Sequence, residues 1–258
     1  MRLMKRILSA AAVLALSASL LVGCSSGTAS SVPVSASSAA ESTVSSVEET
    51  ASSAVDENAA AAAQLLNDLT GSYQELWPVI LADEYKQTWL DVCTALVGEE
   101  NAEAAFEKLS SMVTGDVYGE DAVEAYANGG GAYFCGFTNS LATLTFDGET
   151  STISGTDKDG NVLFSHAYHY IGMEPVRGLY EFESDDADSG EFTYFFLAPD
   201  TSAETYHIEF RYGSDAEALS QYDAGEYAYW LASGISTDCD QTMIDNCIEL
   251  FCTENLAG

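Results

Sequence analysis

The sequence predicts a mainly β protein with helices: an antiparallel β-barrel, closed or nearly so, with a helical region before it and one helix after it. Three observations lead there. Up to Ala127 the apolar residues recur at spacings of three and four, the period of a helix buried on one side. After Gly129-Gly130-Gly131, a run that stops helices, the pattern turns to short alternating stretches separated by Asp-Gly and Asn-containing turns. From Cys239 to Cys252 the helical spacing returns.

The helical region spans 59–128. Ala59 to Leu69 is an Ala-rich helix with Leu65, Leu66 and Leu69 on one side. Ser72 is placed to cap a short helical segment carrying Tyr73, Leu76 and Trp77. Asp83 to Val97 puts Tyr85, Trp89, Val92, Cys93 and Leu96 on one face, and Asn101 to Val113 does so with Ala105, Phe106, Leu109 and Met112. A short helix from Glu120 to Ala127 ends at the glycine run.

The barrel spans 131–232. Its expected strands are Ala132–Thr138, Leu141–Phe146, Thr150–Ser154, Val162–Tyr170, Val176–Glu183, Phe192–Leu197, Thr205–Tyr212 and Tyr227–Leu231. Asn139-Ser140, Asp147-Gly148 and Asp159-Gly160-Asn161 supply turn chemistry between them. Short strands joined by such turns favour a closed sheet, which leaves no unpaired edge. The closing helix, 238–253, has Asp238 as its expected cap and Met243, Ile244, Cys247, Ile248 and Phe251 as its buried stripe.

The first 58 residues carry a different grammar. Arg2, Lys5 and Arg6 precede an apolar run from Ile7 to Val22, too short and too rich in Ala and Ser for a good membrane span. The run ends in Leu21-Val22-Gly23-Cys24, which resembles the lipobox of bacterial lipoproteins. The expectation is a signal peptide over 1–23, lipidation of Cys24, and an extracytoplasmic protein anchored to a bacterial cell membrane rather than spanning it. Residues 24–58, dominated by Ser, Ala, Thr, Val and Glu without an aromatic residue, read as a disordered tether.

Charge excludes some partners. The formal net charge is −33, from 8 basic and 41 acidic residues. Such a chain is repelled by nucleic acid. Cys93, Cys135, Cys239, Cys247 and Cys252 form no CxxC, and they read as small buried apolar residues. No G-x-S-x-G, phosphate loop or defensible catalytic carboxylate pair is present, so no enzyme is expected. Asp186-Ala187-Asp188-Ser189-Gly190 lacks the distal glutamate of a calcium loop and reads as a solvated turn.

Several blocks in order resemble the ZinT/YodA family of bacterial zinc-binding proteins. They are Leu69-Thr70-Gly71-Ser72-Tyr73, Leu76-Trp77-Pro78-Val79-Ile80, Tyr126-Ala127-Asn128-Gly129-Gly130 through Phe146, Val176-Arg177-Gly178-Leu179-Tyr180-Glu181-Phe182, and Ala198-Pro199 followed by Thr205-Tyr206-His207-Ile208. Tyr212-Gly213-Ser214-Asp215 leads into the last strand and the closing helix. The resemblance covers about Leu69 to the C-terminus, within a domain of 59–258. It implies a lipocalin-like (calycin) barrel, zinc held by a histidine cluster, and metal recruitment to an ABC transporter. Only one of the family's histidines is retained, as His207; the others fall on Phe195 and on Thr205 or Glu204.

The remaining candidate donors are His166 and His169, which a separation of three places on opposite faces of a strand, and Glu209 and Glu204 beside His207. The candidate metal ligands are therefore His207, His166, His169, Glu209 and Glu204. Two readings stand at this point. In one, His207, a second histidine and a carboxylate hold a divalent metal. In the other, His207, Glu209 and Arg211 are the polar face of a strand whose other face packs inward, and the barrel is a binding or interaction module without metal.

Overall fold

The computed structural model describes residues 57–198 and 207–256. The signal segment, Cys24, the tether before residue 57, and Glu204 lie outside the described residues. Within them the chain forms a closed antiparallel barrel of eight strands in sequence order. The strands are β1 (Gly71–Glu75), β2 (Thr143–Asp147), β3 (Thr152–Thr156), β4 (Val162–Met173), β5 (Tyr180–Ser184), β6 (Tyr194–Leu197), β7 (His207–Gly213) and β8 (Ala232–Ser236).

Two of these strands come from unexpected places. Gly71–Glu75 is β1, not part of a helix, and the Ser72 hydroxyl caps nothing: it bonds the Thr145 hydroxyl across the β1–β2 pair at 2.8 Å. The last strand is Ala232–Ser236, just beyond the expected Tyr227–Leu231. Ala132–Thr138 is not a strand; Phe134 alone bridges Thr114 on one side and Trp230 on the other. The β5 strand begins at Tyr180 because Glu174, whose carboxylate accepts the Val176 and Arg177 amides at 2.7 Å each, holds the preceding residues in a turn. Asn139 and Ser140 form the expected turn, with φ of 52° and 62°.

The barrel is filled by its own rings. Phe146, Phe164, Tyr168, Phe182, Phe195, Phe210 and Tyr212 are buried inside with Leu144 and Ile153. Phe164 stacks on Phe192 at 4.0 Å, Phe195 on Tyr212 at 5.3 Å, and Trp230 meets Tyr212 edge-on at 5.0 Å. Each such ring pair adds about 0.5–1.5 kcal/mol beyond area burial. The interior is therefore a core and not a ligand cup.

The helix α1 (57–68) lays Ala62, Leu65 and Leu66 on this core. The β2–β3 turn sits so close to it that a side chain at Gly148 would overlap the Asn67 and Leu66 backbone. On the outside of the sheet, α2 (Leu76–Ile80), α3 (Lys86–Val97), α4 (Ala102–Met112) and α7 (Gln241–Leu256) build a second core. It contains Trp77, Trp89, Cys93, Leu109, Ile244, Ile248 and Cys252 and rests on Ile235 of β8. The ring of Phe251 meets Trp77 at 4.7 Å and Trp89 at 6.0 Å, both edge-on. Leu96 and Met112 are exposed, because only the Trp89–Cys93 and Ala105–Leu109 sides face this core. The cap of α7 is Asp240, whose carboxylate accepts the Met243 amide at 3.0 Å, and not Asp238. The helix α5 (Glu120–Ala127) matches its expected span, and α6 (Ala216–Leu219) is capped by Asp215. Among the described residues no helix is long and apolar enough to cross a membrane.

Candidate functional site

Alternation along β7 sends Ile208, Phe210 and Tyr212 inward and His207, Glu209 and Arg211 outward. The outward side is covered, not solvated. Arg211 is fully buried under the segment after α6. Its guanidinium donates to the carbonyls of Leu219, Gln221 and Tyr227 and lies 4.4 Å from the Tyr222 ring centre. Arg177 lies over the same ring at 4.3 Å, and the Tyr222 hydroxyl donates to the buried Glu174 at 3.5 Å. Burial pulls the Arg211 guanidinium below its ordinary pKa, opposed by Tyr222. Arg211 thus pins a loop: the polar strand face is there as expected, with its Arg211 end covered.

His207 and Glu209 occupy the other end of that face, where α2 and α7 cross it. They line a cavity of about 30 Å³ with Leu76, Trp77, Ile80, Leu250, Phe251, Cys247 and Glu254. Such a volume suits one or two water-sized occupants. Its polar lining is one imidazole, two carboxylates and one thiol, and no lysine or arginine is among the lining residues. Burial pushes the Cys247 thiol up to about 12, so it is protonated at neutral pH. Cys247 and Glu254 sit seven residues apart, two turns of α7, and so point the same way. As positioned, no three His, Cys, Asp or Glu side chains among the described residues converge closely enough to hold one metal ion.

The other predicted donors are not part of this cavity. His166 and His169 are on β4, separated from β7 by β5 and β6. They point to opposite sides, as the spacing implies. His166 is half-buried beside the Phe164 and Tyr168 rings, with Nδ1 at 2.7 Å from Asp186 Oδ2. His169 is exposed, with Nδ1 at 2.7 Å from Asp185 Oδ1. Each histidine therefore has a carboxylate partner of its own. The set of His207, His166, His169 and Glu209 does not fit one metal. Glu204 lies outside the described residues.

A second depression shares Trp77 as a wall. It is a cleft of about 350 Å³ lined by Glu75, Trp77, Pro78, Leu81, Val113, Thr114, Phe134 and Cys135 with Gly115 and Gly136. Glu75 is fixed there by accepting the Phe137 amide on Oε1 at 2.6 Å. The Trp77 indole N–H is fully buried, so it does not open onto the cleft, and its neighbour there is the Cys135 thiol. Burial pushes the neighbouring Cys135 thiol up to about 12, with Glu209 adding to the shift. Nothing in the local sequence marks this cleft, because it is assembled from β1, α2 and two connecting segments.

No protein-family model matches the chain, and no curated protein matches it. Among solved structures it is similar to the Zn(II)-bound ZinT-like domain of Streptococcus pneumoniae AdcA, at 16% identity and a TM-score of 0.45, over 71% of this chain and 89% of that one. It is also similar to Zn(II)-bound AdcA from Streptococcus pneumoniae, at 15% identity and a TM-score of 0.42, over 72% of this chain and 35% of that one.

Proposed function

We propose that this chain is a non-enzymatic extracytoplasmic binding protein, anchored through Cys24, that captures a divalent cation at the His207 cavity for hand-over to a membrane transporter. The observation that carries the cation assignment is the cavity lining: His207, Glu209, Cys247 and Glu254 with no lysine or arginine. One imidazole with carboxylates suits zinc among the divalent metals, and the thiol favours it further once deprotonated. Capture requires the α7 donors to close on the strand donors, and the cavity between them gives the room. The acidic surface concentrates cations around the protein, while the anchor and tether place it beside a transporter.

Zinc titration calorimetry on the purified protein tests this. One equivalent is expected to bind, with a loss of about 10-fold or more in affinity for His207→Ala and for Glu254→Gln. Absence of zinc heat, or equal heat in all three proteins, overturns it.

A second reading rests on the Trp77 cleft. Its volume falls in the range of small-molecule sites, and the Glu75 carboxylate lines it. A small amine with an apolar body would pack on Trp77 and place its charge at Glu75. Quenching of tryptophan fluorescence by such amines, lost in Glu75→Gln, supports this reading; an identical response in both proteins rejects it.

A further inference from the structure

We infer that Cys93 and Cys252 form a native disulfide that staples the closing helix to the helical layer. The two thiols belong to α3 and α7 and lie 159 residues apart in sequence, yet their Sγ atoms are 4.0 Å apart. Both are fully buried, in the core made by Trp89, Leu109, Ile244 and Ile248. A disulfide needs the sulfurs at about 2.05 Å, an approach of about 2 Å that two side-chain rotations can share when the helices already touch. The other three described cysteines are Cys135, Cys239 and Cys247.

The chemistry is thiol–disulfide exchange with a small-molecule disulfide. The thiolate of one cysteine attacks the small disulfide, forming a mixed disulfide and expelling one small thiol. The thiolate of the second then attacks the protein-bound sulfur and expels the other. Two protein thiols and one small disulfide become one protein disulfide and two small thiols. Burial raises the pKa of both cysteines, that of Cys252 to about 12, which suppresses the thiolate in the folded chain. Formation therefore belongs to folding, when the sulfurs are still accessible. The finished bond is then shielded from reductant by the same aromatic core. The inference does not depend on the cation site, although α7 contributes to both.

The test uses the full chain refolded in a mixture of oxidised and reduced glutathione, then alkylated and digested without reductant. The expected result is a cross-linked pair of peptides containing Cys93 and Cys252. Cys135, Cys239 and Cys247 should be alkylated. The oxidised protein should melt about 4–16 °C above the same protein held in strong reductant. Cys135→Ser should leave that difference unchanged, and Cys252→Ser should abolish it. Alkylation of both Cys93 and Cys252, or either one bonded to a different cysteine, overturns the inference.

Discussion

Replacing Arg211 with methionine isolates what a buried cation does when its partners are carbonyls instead of carboxylates. The side chain is fully buried and donates to Leu219, Gln221 and Tyr227. Three bonds from a charged donor contribute about 1.5–3 kcal/mol each, or about 4.5–9 kcal/mol together. Methionine removes the desolvation penalty of the guanidinium, several kcal/mol, and that penalty is only partly offset in the native protein because Nε has no partner among the described residues. An ion pair replaced by apolar side chains on both sides often comes out neutral or better. Here the carbonyls stay behind, and the 219–227 segment has no substitute donor. The expected net loss is about 2–4 kcal/mol, read as a lower urea midpoint at unchanged slope. Limited proteolysis should show new cleavage between residues 219 and 227. Arg211→Lys should recover only part of the loss, since an ammonium cannot span the carbonyls in a planar fork. A midpoint within ~0.5 kcal/mol of the parent, or a stabilised protein, would refute the assignment of Arg211 as the pin of this loop.

Tyr212→Phe tests the link between β7 and the segment before the Asn139-Ser140 turn. The hydroxyl accepts the Thr138 amide at 2.6 Å and donates to the Thr138 carbonyl at 2.9 Å, so its removal should cost about 1–3 kcal/mol in urea unfolding. Alkaline pH should weaken the fold under reducing conditions. Cys135, Cys247 and Cys252 are each pushed up to about 12 by burial, whereas an unfolded thiol ionises near about 8.5. The folded state therefore retains protons that the unfolded state gives up. The stability these thiols contribute is complete below about pH 8.5 and is lost as pH rises toward about 12. Urea midpoints measured between those limits should fall steadily, and a flat profile would contradict the burial of these thiols.

Much of the architecture was legible because hairpin turns and alternation are local. The β2–β3 and β3–β4 connections follow from Asp147-Gly148 and Asp159-Gly160-Asn161: the Asp147 carboxylate accepts the Glu149 amide, and the Asp157 carboxylate accepts the Asp159 and Asn161 amides. The strands that close the barrel were not legible. Tyr73, Leu76 and Trp77 have helical spacing, yet Tyr73 belongs to a strand because Leu144 and Ser236 lie ready to pair on either side. The last strand, Ala-Ser-Gly-Ile-Ser, has almost no strand-forming residues; Gly234 is useful there because a side chain would press on Ile208. At the candidate site, His207 and Glu209 were visible as residues two apart on one strand. Cys247 and Glu254 were missed because they reach the same cavity from a helix far along the chain. Their spacing of two turns beside Phe251 was the one available signal.

The pairing of β1 with β8 has a kinetic consequence. Tyr73 meets Ser236, so the first described strand waits for the last one before the barrel can shut. Until then both partners present open edges, and the ring-filled interior has a missing wall. A chain released N-terminus first thus has no native seam to close until Ser236 is available. Such long-range closure makes folding slow and all-or-none, and a truncation anywhere before Ser236 leaves two unpaired edges exposed to neighbouring molecules.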